Sequence, residues 1–312
     1  MTGVRPLTVL SGALGSGKTT LLRRLLREPG LAGTYVVVNE FGDIGIDHDQ
    51  LRWVSERVSL LPGACVCCAI RDDLVDTLLE LLADEAAGRL PPMRRVVVET
   101  TGLADPAPVV ATLLTSPVLR HHFRVDRVVV TVDATTPAPQ RSAEWLQQVI
   151  CADTIAVTKD DLVTQEVVAS LGEMLRSVNP AALVTLARDV QLDVEQPGIP
   201  VAADVEPLGD EHLAGVAAGS ASFDGTVEWA AFAVWVSALL HAHGDRVLRL
   251  KAILDTGGAG PVVVDGVQHV TYPPRHLPSW RGSPRSQVVV ITRELPPDRL
   301  LAALAEFVVR PG

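Results

Sequence analysis

The residues with the clearest chemical capacity are Gly12-Ala13-Leu14-Gly15-Ser16-Gly17-Lys18-Thr19, a GxxxxGK[ST] run that follows the short apolar segment Leu7-Thr8-Val9-Leu10. Glycines at 12, 15 and 17 let successive backbone N–H groups converge on phosphate oxygens, and a helix opening at the end of the run adds its positive N-terminal end. Lys18 at this spacing reaches the β- and γ-phosphates and the Thr19 hydroxyl ligates Mg²⁺, with Ser16 and Thr20 beside them. A ligand-free Gly-rich turn between strand and helix is the alternative. The complete motif in a strand–loop–helix context favours the nucleotide.

Three further segments carry chemistry that a bound nucleotide needs. Val38-Asn39-Glu40-Phe41-Gly42-Asp43-Ile44-Gly45-Ile46-Asp47 leaves an apolar run for a glycine-rich acidic loop. Glu40 and Asp43 can orient an attacking water or hold metal waters there; a solvated acidic turn is the alternative. Val96-Val97-Val98-Glu99-Thr100-Thr101-Gly102 ends an apolar strand in an acid that can hold Mg²⁺ through water, then places Gly102 to offer a backbone N–H to a γ-phosphate. Ile155-Ala156-Val157-Thr158-Lys159-Asp160-Asp161 ends another strand in TKxD, close to the NKxD base-recognition signature. A carboxylate at Asp161 accepts from guanine N1–H and its exocyclic amine, and the stem of Lys159 covers the purine. Thr158 stands where Asn is usual, so one side-chain amide bond to loop or base is expected to be lost. Ala187 is a further candidate, through a backbone N–H to guanine O6.

Cys65-Val66-Cys67-Cys68 places three soft ligands within four residues, before the polar helix start Arg71-Asp72-Asp73. In a turn, two or three thiolates can converge on Zn²⁺ or a similar ion and leave a position for another ligand, as transfer requires. Buried structural cysteines and a redox pair are the alternatives. Cys151 stands apart and reads as a small core residue.

These residues need a scaffold that brings them to one place. Short β-branched runs at 35–39, 96–99, 128–132, 154–158 and 183–186 alternate with helical spacing at 74–82, 109–114, 143–150 and 167–178. Strands alternating with helices make a parallel sheet covered on both faces, and ligands gather at the carboxyl ends of its strands. The fold class is therefore α/β, a doubly wound, mostly parallel P-loop NTPase sheet with a second, smaller α+β domain at the C-terminus. The first domain is assigned to 1–196, a Pro, Gly, Ala and acid-rich linker to 197–222, and the second domain to 223–312. Within the latter, an apolar stripe at 229–240, an alternating run at 247–255, strands near 261–264 and 287–292, and a helix at 298–307 are expected. Trp229, Phe232 and Trp235 are helix-spaced and read as core.

A net charge of −10 without any Lys/Arg-rich run argues against nucleic acid and anionic membranes as partners. No apolar stretch approaches the roughly 18 residues of a membrane span, and the N-terminal apolar run enters the phosphate loop rather than a cleavable signal. A cytoplasmic location is expected, where clustered cysteines point to metal or redox chemistry.

Together these motifs resemble the CobW-like family of P-loop GTPases, which includes metallochaperones and metal-insertion factors. The resemblance rests on GALGSGKTT at 12–20, VNEFGDIGID at 38–47, CVCC at 65–68, ETTGLADP at 99–106, VDA at 132–134 and TKDD at 158–161, and C-terminally on Arg249-Leu250-Lys251, Gln268-His269, Trp280 and the strand at 286–291. The family usually has Gly directly before the first cysteine; Ala64 stands there, with Gly at 63. The resemblance implies GTP/GDP and Mg²⁺ as ligands, Zn²⁺ or Co²⁺ on Cys65, Cys67 and Cys68, and GTP hydrolysis coupled to delivery to a client metalloprotein by a monomer or homodimer. Two rivals remain: an adaptor with structural, slowly hydrolysed GTP, and an ATP-dependent P-loop kinase or ATPase, against which Asp161 argues. His121-His122 and the pair His241 and His243 are too few for metal storage.

Overall fold

The computed structural model describes residues 4–38, 58–60, 69–137, 142–192, 215–280 and 282–308. The chain divides into two compact units, one made of Met1–Val168 with Val184–Glu195, the other of Ala169–Leu183 with Gln196–Gly312.

The first unit is built on a seven-stranded sheet in the order β3-β2-β4-β1-β5-β6-β7. Its strands are β1 (Arg5–Gly12), β2 (Thr34–Val38), β3 (Val58–Leu60), β4 (Arg95–Glu99), β5 (Phe123–Asp133), β6 (Thr154–Thr158) and β7 (Leu183–Leu186). The pairs β1·β4, β1·β5, β2·β3, β2·β4 and β5·β6 are all parallel. The helices are α1 (Lys18–Leu25), α2 (Ala69–Ala86), α3 (Pro106–Thr115), the single turn α4 (Leu119–His122) and α5 (Ala143–Cys151); α6 (Gln165–Val178) begins in this unit and continues in the second. β2 and β6 are buried along their whole length, which is why they read as continuous rather than alternating apolar runs. α1 turns Leu21, Leu22 and Leu25 onto Leu10, Val36, Val97, Val129 and Ala156 of the sheet. β1 lies between β4 and β5, so the chain winds outward in both directions from it. The loops leaving the carboxyl ends of β1, β4 and β5 therefore open at the switch point of the sheet.

The second unit carries an antiparallel sheet in the order β11-β10-β9-β13-β8, with β12 paired to β10. The strands are β8 (Val216–Phe223), β9 (Val247–Leu254), β10 (Val262–Val267), β11 (Val270–Thr271), β12 (Arg275–His276) and β13 (Ser286–Arg293), with helices α7 (Trp229–His243) and α8 (Pro297–Val308). Phe232, Val236, Leu239 and Leu240 of α7 and Leu301, Leu304 and Val308 of α8 pack on Leu250, Ala252, Val264, Val288 and Val290 of the sheet. Phe232 is fully buried between Trp229 and Trp235, with ring centroids at 6.3 and 6.2 Å. β8 occupies the end of the stretch that composition reads as connection. Its sequence VAAGSASF lacks bulk because α8 lies directly on it; a Cβ at Gly219 would fall 2.8 Å from Pro297 Cβ. Among the described residues no helix is long and apolar enough to cross a membrane.

Leu22 is fully enclosed at the α1–sheet contact. Leu22→Ala is expected to lower the unfolding free energy of the first unit by about 2–5 kcal/mol, read from a denaturant melt.

Candidate functional site

The loop after β1 owes its path to glycines. Gly12, Gly15 and Gly17 have φ of 139°, 73° and 91°, a region that side chains rarely enter. At Gly12 space is also lacking, since a Cβ would lie 2.5 Å from the Thr131 carbonyl oxygen of β5. Gly17 caps α1 in the left-handed conformation, and the helix begins at Lys18. The loop's N–H groups thus lead into a helix N-terminus, the arrangement that binds phosphate. Lys18 is buried, and its Nζ donates to the carbonyls of Gly12 at 2.7 Å and Ala13 at 3.0 Å. Thr20 is exposed on the first turn of α1.

β4 brings its acid to the same place. The Thr19 hydroxyl donates to Glu99 Oε1 at 3.0 Å, although the two are 80 residues apart in sequence. A hydroxyl and a carboxylate in contact form an oxygen donor set that suits a hard cation such as Mg²⁺. Beyond Glu99 the chain turns back against the phosphate loop, and a Cβ at Gly102 would stand 2.5 Å from Leu14 N. Asp105 then stops the turn by accepting from Ala107 N at 2.9 Å as the N-cap of α3, with Pro106 in the first helical position. The spacing of ETTGLADP thus encodes a strand end, a close approach and a helix start.

A buried hydroxyl chain underlies the loop. Thr100 Oγ1 donates to Ser11 Oγ at 2.9 Å, Thr131 Oγ1 to Ser11 O at 3.3 Å, and Ser16 Oγ meets Thr131 Oγ1 at 2.6 Å. These four side chains are at most 1% exposed. Thr131 interrupts the valine run at 128–132, and that single polar position is the only signal the sequence carries for it. Gln148 of α5, also absent from the sequence-derived site, donates to the carbonyls of Gly102 and Ala104, each at 3.1 Å.

At the carboxyl end of β6 the structure corrects one expectation. The Thr158 hydroxyl keeps the link to the loop that a missing Asn amide was expected to cost, donating to Ser16 O at 2.8 Å and toward Val132 O at 3.2 Å. A Cβ on Gly17 would meet the Thr158 methyl at 3.4 Å, so threonine fits closely against the turn. Lys159 has φ 55°, and its Nζ donates to Asp133 Oδ2 at 2.5 Å. Burial pushes the Asp133 carboxyl up, but hydrogen bonds from Lys159 and Thr135 outweigh it and hold the group below its ordinary range. Asp161 is exposed on the turn that follows. Ala187 opens a turn whose carbonyls at Ala187 and Val190 accept from Arg24 of α1 at 3.0 and 2.6 Å.

Glu40, Asp43, Cys65, Cys67 and Cys68 lie outside the described residues. His121, His122, His241 and His243 are exposed, and among the described residues no group of three His, Cys, Asp or Glu side chains is placed to hold a metal ion.

The phosphate loop at the switch point, with an acid at the end of the neighbouring strand and a close-packed glycine just beyond it, defines a P-loop nucleotide-binding α/β protein. The chain belongs to the CobW/HypB/UreG family, whose nucleotide-binding domain matches residues 6–185; residues 216–308 match the cobalamin synthesis protein cobW C-terminal domain. It is similar to the zinc chaperone YjiA of Escherichia coli, with 28% identity over an alignment of 312 residues that spans 96% of this chain and 97% of that protein. It is also similar to zinc-regulated GTPase metalloprotein activator 1 of Schizosaccharomyces pombe, 27% identical over 216 residues, 66% of this chain and 50% of that protein. Among solved structures, the crystal structure of a Zn(II)-bound triple mutant of YjiA GTPase matches with a TM-score of 0.74 at 26% identity, covering 98% of this chain and 99% of that one.

The Thr158 anchor is directly testable. Thr158→Val removes the hydroxyl at constant shape and should weaken GTP and GDP binding roughly tenfold, the worth of about one buried hydrogen bond. Thr158→Asn should restore it. Unchanged affinity in the valine variant, measured by titration, would remove Thr158 from the nucleotide site.

Proposed function

We propose that this protein is a GTP-binding and GTP-hydrolysing metallochaperone. In this reading it takes Zn²⁺ or Co²⁺ on the thiolates of Cys65, Cys67 and Cys68 and passes the ion to a client metalloprotein. The observation that carries the nucleotide half is the Thr19–Glu99 contact beside the glycine-shaped loop, because it joins the two oxygen donors a Mg²⁺·nucleotide site needs at the N-terminus of α1. The metal half is supported by the three clustered thiols and by relatives named as zinc chaperones and zinc-regulated GTPases.

The residues divide the work as follows. Backbone N–H groups between Gly12 and Thr19 bind the phosphates, and Lys18 exchanges its loop carbonyls for β- and γ-phosphate oxygens. Thr19 and Glu99 would hold Mg²⁺, and the ion would supply charge neutralisation to the phosphates. Gly102 offers its N–H on the γ-phosphate side, and Glu40 or Asp43 orients the attacking water. Guanine is recognised by Asp161, while the Lys159 stem lies over the purine with its ammonium anchored on Asp133. Catalysis then comes from positioning and charge stabilisation, without a covalent intermediate on the protein. If GTP orders the acidic loop at 39–47 and so completes the thiolate site, metal favours GTP binding by the same factor, and hydrolysis releases the metal.

Lys18→Ala is expected to abolish GTP turnover in a phosphate-release assay and to weaken nucleotide binding severely. Wild-type turnover in that variant would remove the assignment. Metal and GTP should bind with a positive coupling on the order of 1–3 kcal/mol. Titration of Zn²⁺ or Co²⁺ into protein loaded with a non-hydrolysable GTP analogue, compared with GDP, measures it. Serine at positions 65, 67 and 68 together should eliminate tight metal binding and leave Mg·GTP binding largely intact. Equal metal affinity in both nucleotide states, or undiminished binding in the triple variant, would favour an adaptor whose GTP is structural.

A further inference from the structure

Helix α5 turns an apolar face inward, with Trp145, Leu146, Val149, Ile150 and Cys151 buried. Gln148 is buried in the same helix at 0% exposure. Its carboxamide Nε2 donates to the carbonyls of Gly102 and Ala104, both at 3.1 Å. Oε1 is buried with no hydrogen-bond partner among the described residues. The orientation is chemically determined, because exchanging O and N would point an acceptor at two carbonyl oxygens. An unsatisfied buried acceptor costs stability, and Leu or Met would avoid that cost at similar volume. What the amide alone supplies is two donors aimed at one loop.

That loop is the segment between Glu99 and α3. It is closed by the hydrogen bond from Ala104 N to Thr101 O at 3.2 Å and by the Asp105 cap, and it approaches the phosphate loop so closely at Gly102 that a Cβ would meet Leu14 N at 2.5 Å. Between these fixed ends, the carbonyls of Gly102 and Ala104 determine which way the intervening peptides face. We propose that Gln148 is the positioning residue for the Gly102–Asp105 loop, holding its carbonyls so that the Gly102 peptide stays presented to the phosphate loop. It acts through the loop and touches neither phosphate nor metal. The role rests on the GTPase reading given above.

The test uses the full-length protein and two variants. Gln148→Met keeps length and volume and removes both donors. Its kcat for GTP should fall about tenfold with KM changed less than about threefold, because the group acts where charge develops rather than in ground-state binding. Gln148→Glu keeps the shape and exchanges the amide nitrogen for an oxygen. Its neutral acid can donate to one carbonyl, whereas its carboxylate repels both, so activity should be partly retained in acid and lost as pH rises, a limb the wild type lacks. Wild-type kcat and KM in a soluble Gln148→Met protein would overturn the proposal. So would a fall in thermal stability without the kcat change. Should that variant fail to fold, Gln148→Glu decides alone, and a pH profile like that of the wild type would be the overturning result. Amide hydrogen exchange over 101–105 separates this idea from the GTPase reading. Faster exchange in Gln148→Met, in a protein whose wild type hydrolyses no GTP, would remove the GTPase reading and keep the clamp. Unchanged exchange would remove the clamp whatever the turnover.

Discussion

The nucleotide face depends on the absence of two Cβ atoms. Where β1 ends, Gly12 lets the β5 backbone at Thr131 come within a distance that any side chain would forbid, and Gly102 does the same for the chain leaving β4 against Leu14. Three strands can then deliver their carboxyl ends to one small volume. Alanine at either place would push a strand end outward, because interiors at crystal-like density have no slack to absorb it. The contact of Thr19 with Glu99 and that of Ser16 with Thr131 follow from this close approach.

The polar groups under the loop form a connected system rather than separate pairs. Thr100, Ser11, Thr131 and Ser16 satisfy one another away from water, and Thr158 extends the system to the strand end that precedes Lys159 and Asp161. Buried hydroxyls are tolerable only when paired, and once paired they fix the relative positions of the elements that carry them. The γ-phosphate side and the base side of the proposed site are therefore held to a common reference under the loop. Charges follow the same rule: Lys18 rests on loop carbonyls, and Lys159 on an Asp133 carboxylate kept ionised by its donors.

The second unit has a different architecture because its sheet is covered differently. α7 and α8 pack on one face, giving the alternation that marks β9. The other face carries Arg249, Lys251 and Asp265, with Arg249 also over the Tyr272 ring at 5.8 Å and Arg275 reaching the same carboxylate at 3.7 Å. Removing one partner of such a buried cluster leaves an uncompensated charge, which is strongly destabilising. Arg249-Leu250-Lys251, noticed in the sequence as a family-like motif, is thus a strand that presents charge on one side and leucine on the other.

Local physics was legible in the sequence. GxxxxGKT demands positive φ at fixed positions, ETTGLADP contains its own helix cap, and valine-rich runs bounded by helical spacing imply a buried parallel sheet; each is a requirement met within about ten residues of chain. β8 escaped that reading because its alanines, glycine and serines carry no hydrophobic signal, their smallness being a response to α8 lying on them. Strand order decided the rest. That Thr131 lies under Gly12, that Thr158 can replace an amide in reaching Ser16, that Arg24 holds the turn at Ala187, and that Gln148 spends both donors on the loop after Glu99 depend on which strands are neighbours and in what register. Such contacts join residues 44 to 163 positions apart, across distances over which spacing along the chain carries no geometric information.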